Sequence, residues 1–159
     1  IIDPVFYRAN AGLEDPDEHL LDHFIQHGIH LETDPHPLIS FEWMRFNRPD
    51  LFERPLTPQI FCSIFESNLI SPTPFFDIPF YRRAANGATQ LKSVFFDYVL
   101  RGADKGVSPS KWVDLDHYRE TYPDAPRDAM AALAHFIQVG DAELRSPTPD
   151  FDPLWYQEE

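Results

Sequence analysis

Six residues recur along this chain and limit what it can fold into. Ile2-Asp3-Pro4-Val5-Phe6-Tyr7 opens the sequence and Phe76-Asp77-Ile78-Pro79-Phe80-Tyr81 restates it. Val113-Asp114-Leu115-Asp116-His117-Tyr118 and Phe151-Asp152-Pro153-Leu154-Trp155-Tyr156 are relatives, and Ile39-Ser40-Phe41-Glu42-Trp43-Met44 is a degraded version. The last position runs Tyr7, Met44, Tyr81, Tyr118, Tyr156, so the steps are 37, 37, 37 and 38 residues. A period in this range marks a repeat architecture, in which each unit buries its apolar face only by stacking on its neighbours.

Each repeat reads as two helices and an extended exit. The boundaries fall at residues 2–38, 39–75, 76–112 and 113–150, with a partial fifth start at 151–159. Asp3, Asp77, Asp114 and Asp152 stand where a helix N-cap is needed, and Ser40 can do the same work, because a side-chain oxygen there accepts an otherwise unpaired amide. The first helix of repeat one ends near Asn10-Ala11-Gly12, and its second is expected to start around Asp15-Pro16, cap then proline. The turns Asn47-Arg48-Pro49-Asp50, Asn86-Gly87 and Tyr122-Pro123-Asp124 separate the helices elsewhere. Gly28, Gly102 and Gly140 are expected to close the second helices as left-handed caps. Phe65 stands at that position in repeat two, so this helix should continue towards Asn68. The exits carry Pro35, Pro72, Pro109 and Pro147, and residues before proline avoid the helical region.

Columns across the repeats define a core. Tyr7, Tyr81, Tyr118 and Tyr156 form one, and Phe24, Phe61, Tyr98 and Phe136 form another. Ile25, Cys62, Val99 and Ile137 follow, with Cys62 expected to be a small buried apolar residue. No stretch alternates with period two for long enough to argue a sheet. The expected fold is therefore all-α: a short α-solenoid of about four helix-turn-helix repeats with proline-rich connections, forming a single domain over residues 1–159. A helix of about 8–10 residues and one of about 11–13 make up each unit.

A net charge of −13 repels phosphate backbones and anionic membrane surfaces, so neither nucleic acid nor direct membrane insertion is expected. One cysteine excludes an internal disulfide. The chain starts at Ile1, inside a repeat, and is expected to be part of a longer protein.

The pattern resembles a known helical repeat. It has phenylalanine-aspartate-x-x-(tryptophan or phenylalanine)-tyrosine, an asparagine-proline-aspartate-like turn, a histidine-tyrosine-leucine-x-x-glycine helix end and a serine-proline-x-proline exit. Phe76, Asp77, Phe80 and Tyr81 match it, as do Asn47, Pro49 and Asp50, His135, Phe136 and Gly140, and His23, Phe24 and Gly28. Repeat two departs from it at Met44 and Phe65. The repeat occurs in bacterial proteins of cell-surface polysaccharide synthesis, commonly beside glycosyltransferase domains. The resemblance implies a non-catalytic scaffold or interaction module of such a protein, in the bacterial cytoplasm or membrane-associated through the parent. It implies a partner that is a protein, a neighbouring domain or a glycan, and it transfers no catalytic residue and no cofactor.

Three side-chain groups carry possible chemistry. His19, His23 and His27 lie one helical turn apart, with His30 and His36 following. Paired histidines can hold a metal, which leaves a small metal-dependent enzyme as one alternative. The helix lacks the glutamate that a metalloprotease needs, and His23 shares its column with Asp97 and His135, so a structural role holding a neighbouring carbonyl is expected and no metal ligand is assigned. The recurring aspartates are helix caps rather than a glycosidase pair. Trp112, Trp43 and Trp155 are the candidate ligand platform, since aromatic faces stack on sugars; a carbohydrate-binding module is the second alternative.

Overall fold

The computed structural model describes residues 2–87 and 89–151. Among the described residues there are eight α-helices, three π segments, one 3-10 turn and no β-strand, with about half the residues helical (49%). Ser110 and Val113 form one isolated bridge. The caps Asp152, the core position Tyr156 and the platform residue Trp155 lie outside the described residues. No described helix is long and apolar enough to cross a membrane.

The chain divides into two compact units, Ile1–Pro74 and Phe75–Glu159. The first unit holds α1 (Pro4–Ala11), α2 (Leu20–His23), α3 (Phe41–Asn47), a 3-10 turn (Pro49–Phe52) and α4 (Pro58–Ser67). The second holds α5 (Ile78–Ala84), α6 (Val94–Asp97), α7 (Leu115–Thr121) and α8 (Ala129–His135). Helices α2, α6 and α8 run on without a break into a wide π turn, over Phe24–Gly28, Tyr98–Gly102 and Phe136–Gly140.

The first helices start as the sequence requires. Asp3 Oδ1 accepts the Phe6 amide at 2.9 Å, Asp77 Oδ1 the Phe80 amide at 2.7 Å, and Asp114 Oδ1 the His117 amide at 3.0 Å. Ser40 Oγ accepts the Trp43 amide at 3.1 Å. Each cap removes at least one orphan amide, Asp114 also taking that of Asp116, and is worth about 1 kcal/mol. The same residues close a main-chain clasp. Amides of Asp3, Ser40, Asp77 and Asp114 donate to the carbonyls of Pro35, Pro72, Pro109 and Pro147, at 2.9, 2.9, 3.0 and 2.9 Å. The start and exit of each 37-residue segment are thus tied together, and all four prolines are buried.

Four helix boundaries differ from expectation, one start and three ends. The second helix of the first segment does not begin at Asp15-Pro16 but at Leu20, with His19 in the N-cap position. Arg8 explains the delay: its guanidinium donates to the carbonyls of Asp15, Pro16 and Glu18, which holds them in a turn. Gly28, Gly102 and Gly140 are not left-handed caps. They end the π turns with ordinary φ, and the positive-φ residues are Glu32, Gly106 and Leu144, four positions later. In the second segment α4 stays α-helical to Ser67 and is capped by left-handed Asn68 (φ 53°), as the absence of glycine at Phe65 suggests.

The core is aromatic. Tyr7, Met44, Tyr81 and Tyr118 are at most 1% exposed, and Phe24, Phe61, Tyr98 and Phe136 are buried. In the first unit Phe24 meets Phe61 edge to face at 5.4 Å, and Phe61 touches Phe41 and Phe65. In the second, Phe76, Tyr81, Phe95 and Tyr98 form one cluster. Edge-to-face pairs add about 0.5–1.5 kcal/mol beyond their burial. The next column is not core: Ile25 and Cys62 are exposed, Val99 and Ile137 half-buried. Cys62 follows Phe61 by a rotation of about 100°, which carries it off the α4 face formed by Phe61, Ile64 and Phe65.

Candidate functional site

The most regular polar feature is a tyrosine set against a glycine. Tyr7 Oη lies 2.8 Å from His23 Nδ1, Tyr118 Oη lies 3.0 Å from His135 Nδ1, and Tyr81 Oη donates to Asp97 Oδ2 at 3.0 Å. Residue 97 can only accept, so the phenol is the donor there. The partner of His23 is therefore a phenol, not the neighbouring carbonyl that the column comparison suggests. Each phenol also presses on the second helix. A Cβ built at Gly140 would stand 2.5 Å from Tyr118 Oη, and one at Gly28 or Gly102 would meet Tyr7 Oη or Tyr81 Oη closer still. These glycines exist for close approach rather than for backbone freedom.

The segment without the tyrosine shows the coupling. Met44 replaces it, Ile60 stands where His23, Asp97 and His135 stand, and Phe65 stands where the glycines stand. The phenol, its polar partner, the glycine and the wide turn are all lost together. Phe65 fills the space instead and is 4% exposed.

Gly140→Ala is expected to cost about 1–3 kcal/mol, the usual cost of overpacking. In a Tyr118→Met background the same change should cost less, because the nearest clashing atom is gone; urea unfolding of the four variants should give a coupling of about 1 kcal/mol. Additive losses would disprove the contact.

Segment four extends the arrangement into a charged network. His135 Nε2 is 3.8 Å from Asp124 Oδ2, and Arg145 grips Asp124 with two bonds of 2.8 and 2.7 Å while lying over the Tyr122 ring. Hydrogen bonding from Arg145 lowers the Asp124 pKa. The order tyrosine–histidine–aspartate is that of a relay, yet the phenol is fully buried beneath Gly140 and no substrate atom can reach it. Burial raises the Tyr118 pKa, as it does that of Tyr7, so both phenols stay neutral. Burial, then the bond to Asp97, raises that of Tyr81. The arrangement locks two helices together; it does not activate a nucleophile.

Tyr98 breaks its column, which otherwise holds phenylalanine. Its ring is fully buried and its hydroxyl has no hydrogen-bond partner among the described residues. Tyr98→Phe is expected to raise stability by about 1 kcal/mol by removing an unsatisfied buried group, read as a higher denaturation midpoint.

The remaining candidates lie apart. His19, His27 and His30 are exposed, the His23 and His27 rings are 5.1 Å apart, and His36 is buried. Among the described residues no three His, Cys, Asp or Glu side chains form a group that could hold a metal. Trp43 is half-buried in the first unit. Trp112, in the second, is 56% exposed, with Lys111 Nζ 4.1 Å from its ring centroid, so a cation covers one face.

An arginine column escaped the sequence reading. Arg8, Arg45, Arg82 and Arg119 each follow the anchor residue. Arg8 holds three carbonyls, Arg45 pairs with Glu32, and Arg119 bonds the carbonyls of Leu115 and Arg127 and the Asp116 carboxylate. The 37-residue step was the signal that could have exposed it. Compared with protein-family models, curated proteins and solved structures, the chain matches none.

Proposed function

We propose that this chain is a non-catalytic helical repeat module, a short α-solenoid of about four hairpin units, acting as a scaffold or interaction domain. On the resemblance of its motif, it serves a larger bacterial polysaccharide-synthesis protein in the cytoplasm and holds a partner protein or a neighbouring domain. The observation that supports this is the return of one bond set in every segment: cap, main-chain clasp and buried anchor residue. Such units are spacers and binding surfaces in repeat proteins.

The test is calorimetry with common nucleotide sugars, with and without manganese. No heat beyond dilution is expected. A helix N-terminus attracts phosphate through its free amides, and at α1, α5 and α7 an aspartate already takes an amide and adds negative charge. A micromolar dissociation constant would overturn the reading. The exposure of Trp112 favours a second reading, a carbohydrate-binding surface. Quenching of tryptophan fluorescence by cell-wall oligosaccharides, lost in Trp112→Ala, would establish it.

A further inference from the structure

The chain carries four asparagines, Asn10, Asn47, Asn68 and Asn86. In three of them the carboxamide is held. Asn10 Nδ2 donates to the Asp34 carbonyl at 3.1 Å, Asn47 Nδ2 to that of Trp43 at 2.9 Å, and Asn68 Nδ2 to that of Glu66 at 3.0 Å. Asn86 differs: it is exposed, and its carboxamide has no hydrogen-bond partner among the described residues. It is also the one that glycine follows; the others precede Ala11, Arg48 and Leu69.

The turn around Asn86 is open. Asn86 and Gly87 follow α5 with left-handed φ of 51° and 71°, which asparagine and glycine tolerate best. A Cβ built at Gly87 would meet nothing within 4 Å. The Gly87 amide reaches the Arg82 carbonyl only at 3.5 Å, beyond the ordinary range of about 2.7–3.2 Å, so it is weakly held. The Arg48 amide, after Asn47, donates to Met44 at 2.9 Å. Arg82 and Arg83, exposed in the last turn of α5, put positive charge at a helix end that otherwise disfavours an anion. A main-chain nitrogen attacks the preceding carboxamide under such conditions: the electrophile is free, glycine puts no side chain in the way, and cations share the turn in which the nitrogen gives up its proton.

We propose that Asn86-Gly87 is a site of spontaneous covalent modification, at which Asn86 becomes isoaspartate and aspartate. Rotation of the exposed Asn86 about its side chain and ψ brings Cγ to the Gly87 nitrogen. That nitrogen gives its proton to solvent and bonds to Cγ. The Cγ–Nδ2 bond breaks, ammonia leaves with a proton taken from water, and a five-membered imide remains. Water then adds to one of the two imide carbonyls. Opening at Cγ gives aspartate; opening at the Asn86 main-chain carbonyl gives isoaspartate, with the chain routed through Cγ and longer by one bond. Each event exchanges ammonia for water, needs no oxidant, and adds one negative charge to the −13 of the chain. The two helices of segment three are then joined through a more acidic turn. The reaction is independent of what the module holds.

Ageing the folded full chain in mildly alkaline buffer tests it, with anion exchange to count charge and peptide mapping to place it. A more acidic form is expected to accumulate, and the peptide holding residue 86 should split into two isomers with isoaspartate in excess. Asn10, Asn47 and Asn68 should keep their carboxamides. Asn86→Gly should abolish the acidic form and keep the far-ultraviolet dichroism of the parent, because Gly12 fills the same place in segment one at φ 66°. If the folded chain keeps the Asn86 carboxamide over the time in which the urea-unfolded chain loses it, the turn holds the residue away from its neighbour and the proposal is overturned. Conversion that begins at another asparagine, or an acidic form that persists in Asn86→Gly, would overturn it as well.

Discussion

Phe136→Ala is expected to lower the stability of the second unit by about 3–5 kcal/mol, the cost of emptying a buried aromatic site. Phe136 is 2% exposed. Its ring meets Phe75 at 5.2 Å and Tyr118 at 5.4 Å, both edge to face. It also lies beside Gly140, where a Cβ would come within 2.9 Å of its Cδ2. Truncation therefore opens a cavity between three elements, two of which are held by the Tyr118–His135 bond and cannot close in. Whole domains are stable by only about 5–15 kcal/mol, so the loss should be a large part of the total. Phe46→Ala, on an exposed position, should change stability by under about 0.5 kcal/mol. Denaturant unfolding of both variants decides the point; near-equal midpoints would mean that the phenylalanine column is not core.

A second large effect is expected from acid. His36 is 8% exposed, and its Nδ1 accepts the Leu38 amide at 3.1 Å, so that nitrogen must be unprotonated. Burial lowers its pKa from 6.5 to about 4, against the opposing pull of the Asp3 carboxylate. The unfolded chain then takes up the proton first as pH falls. Stability from this residue is complete above about pH 6.5 and drains away towards pH 4, by about 3 kcal/mol. The Asp34 carboxylate accepts the Phe41 amide nearby, and burial raises its pKa, which works the other way at the acid end. Subtracting the pH profile of His36→Thr, the residue found at Thr73 and Thr148, removes that contribution. The difference curve should fall between pH 6.5 and 4; a flat difference would show that His36 is not held neutral by the fold.

Much of the local architecture was legible in the residues. Asp3, Ser40, Asp77 and Asp114 cap helices because capping needs only an oxygen and an amide two or three positions on. The left-handed turn at Asn86-Gly87 and the extended exits before each proline follow from backbone sterics alone. The continuation of α4 past Phe65 followed from one missing glycine. Tyr7, Tyr81 and Tyr118 declared themselves core by period.

What tertiary structure decided lies at longer range. Gly28, Gly102 and Gly140 look like helix caps until a phenol from 21 or 22 residues earlier is seen against them. Asp15-Pro16 has every local mark of a helix start, and the arginine one turn after Tyr7's own helix start overrides it by holding three carbonyls. The partner of His23 is sixteen residues away, and Cys62 is exposed only because α4 turns its neighbours inward. The exchange of tyrosine, histidine and glycine for Met44, Ile60 and Phe65 was written in the sequence all along. Its meaning required the fold, because size and polarity can be traded only between side chains that share one space.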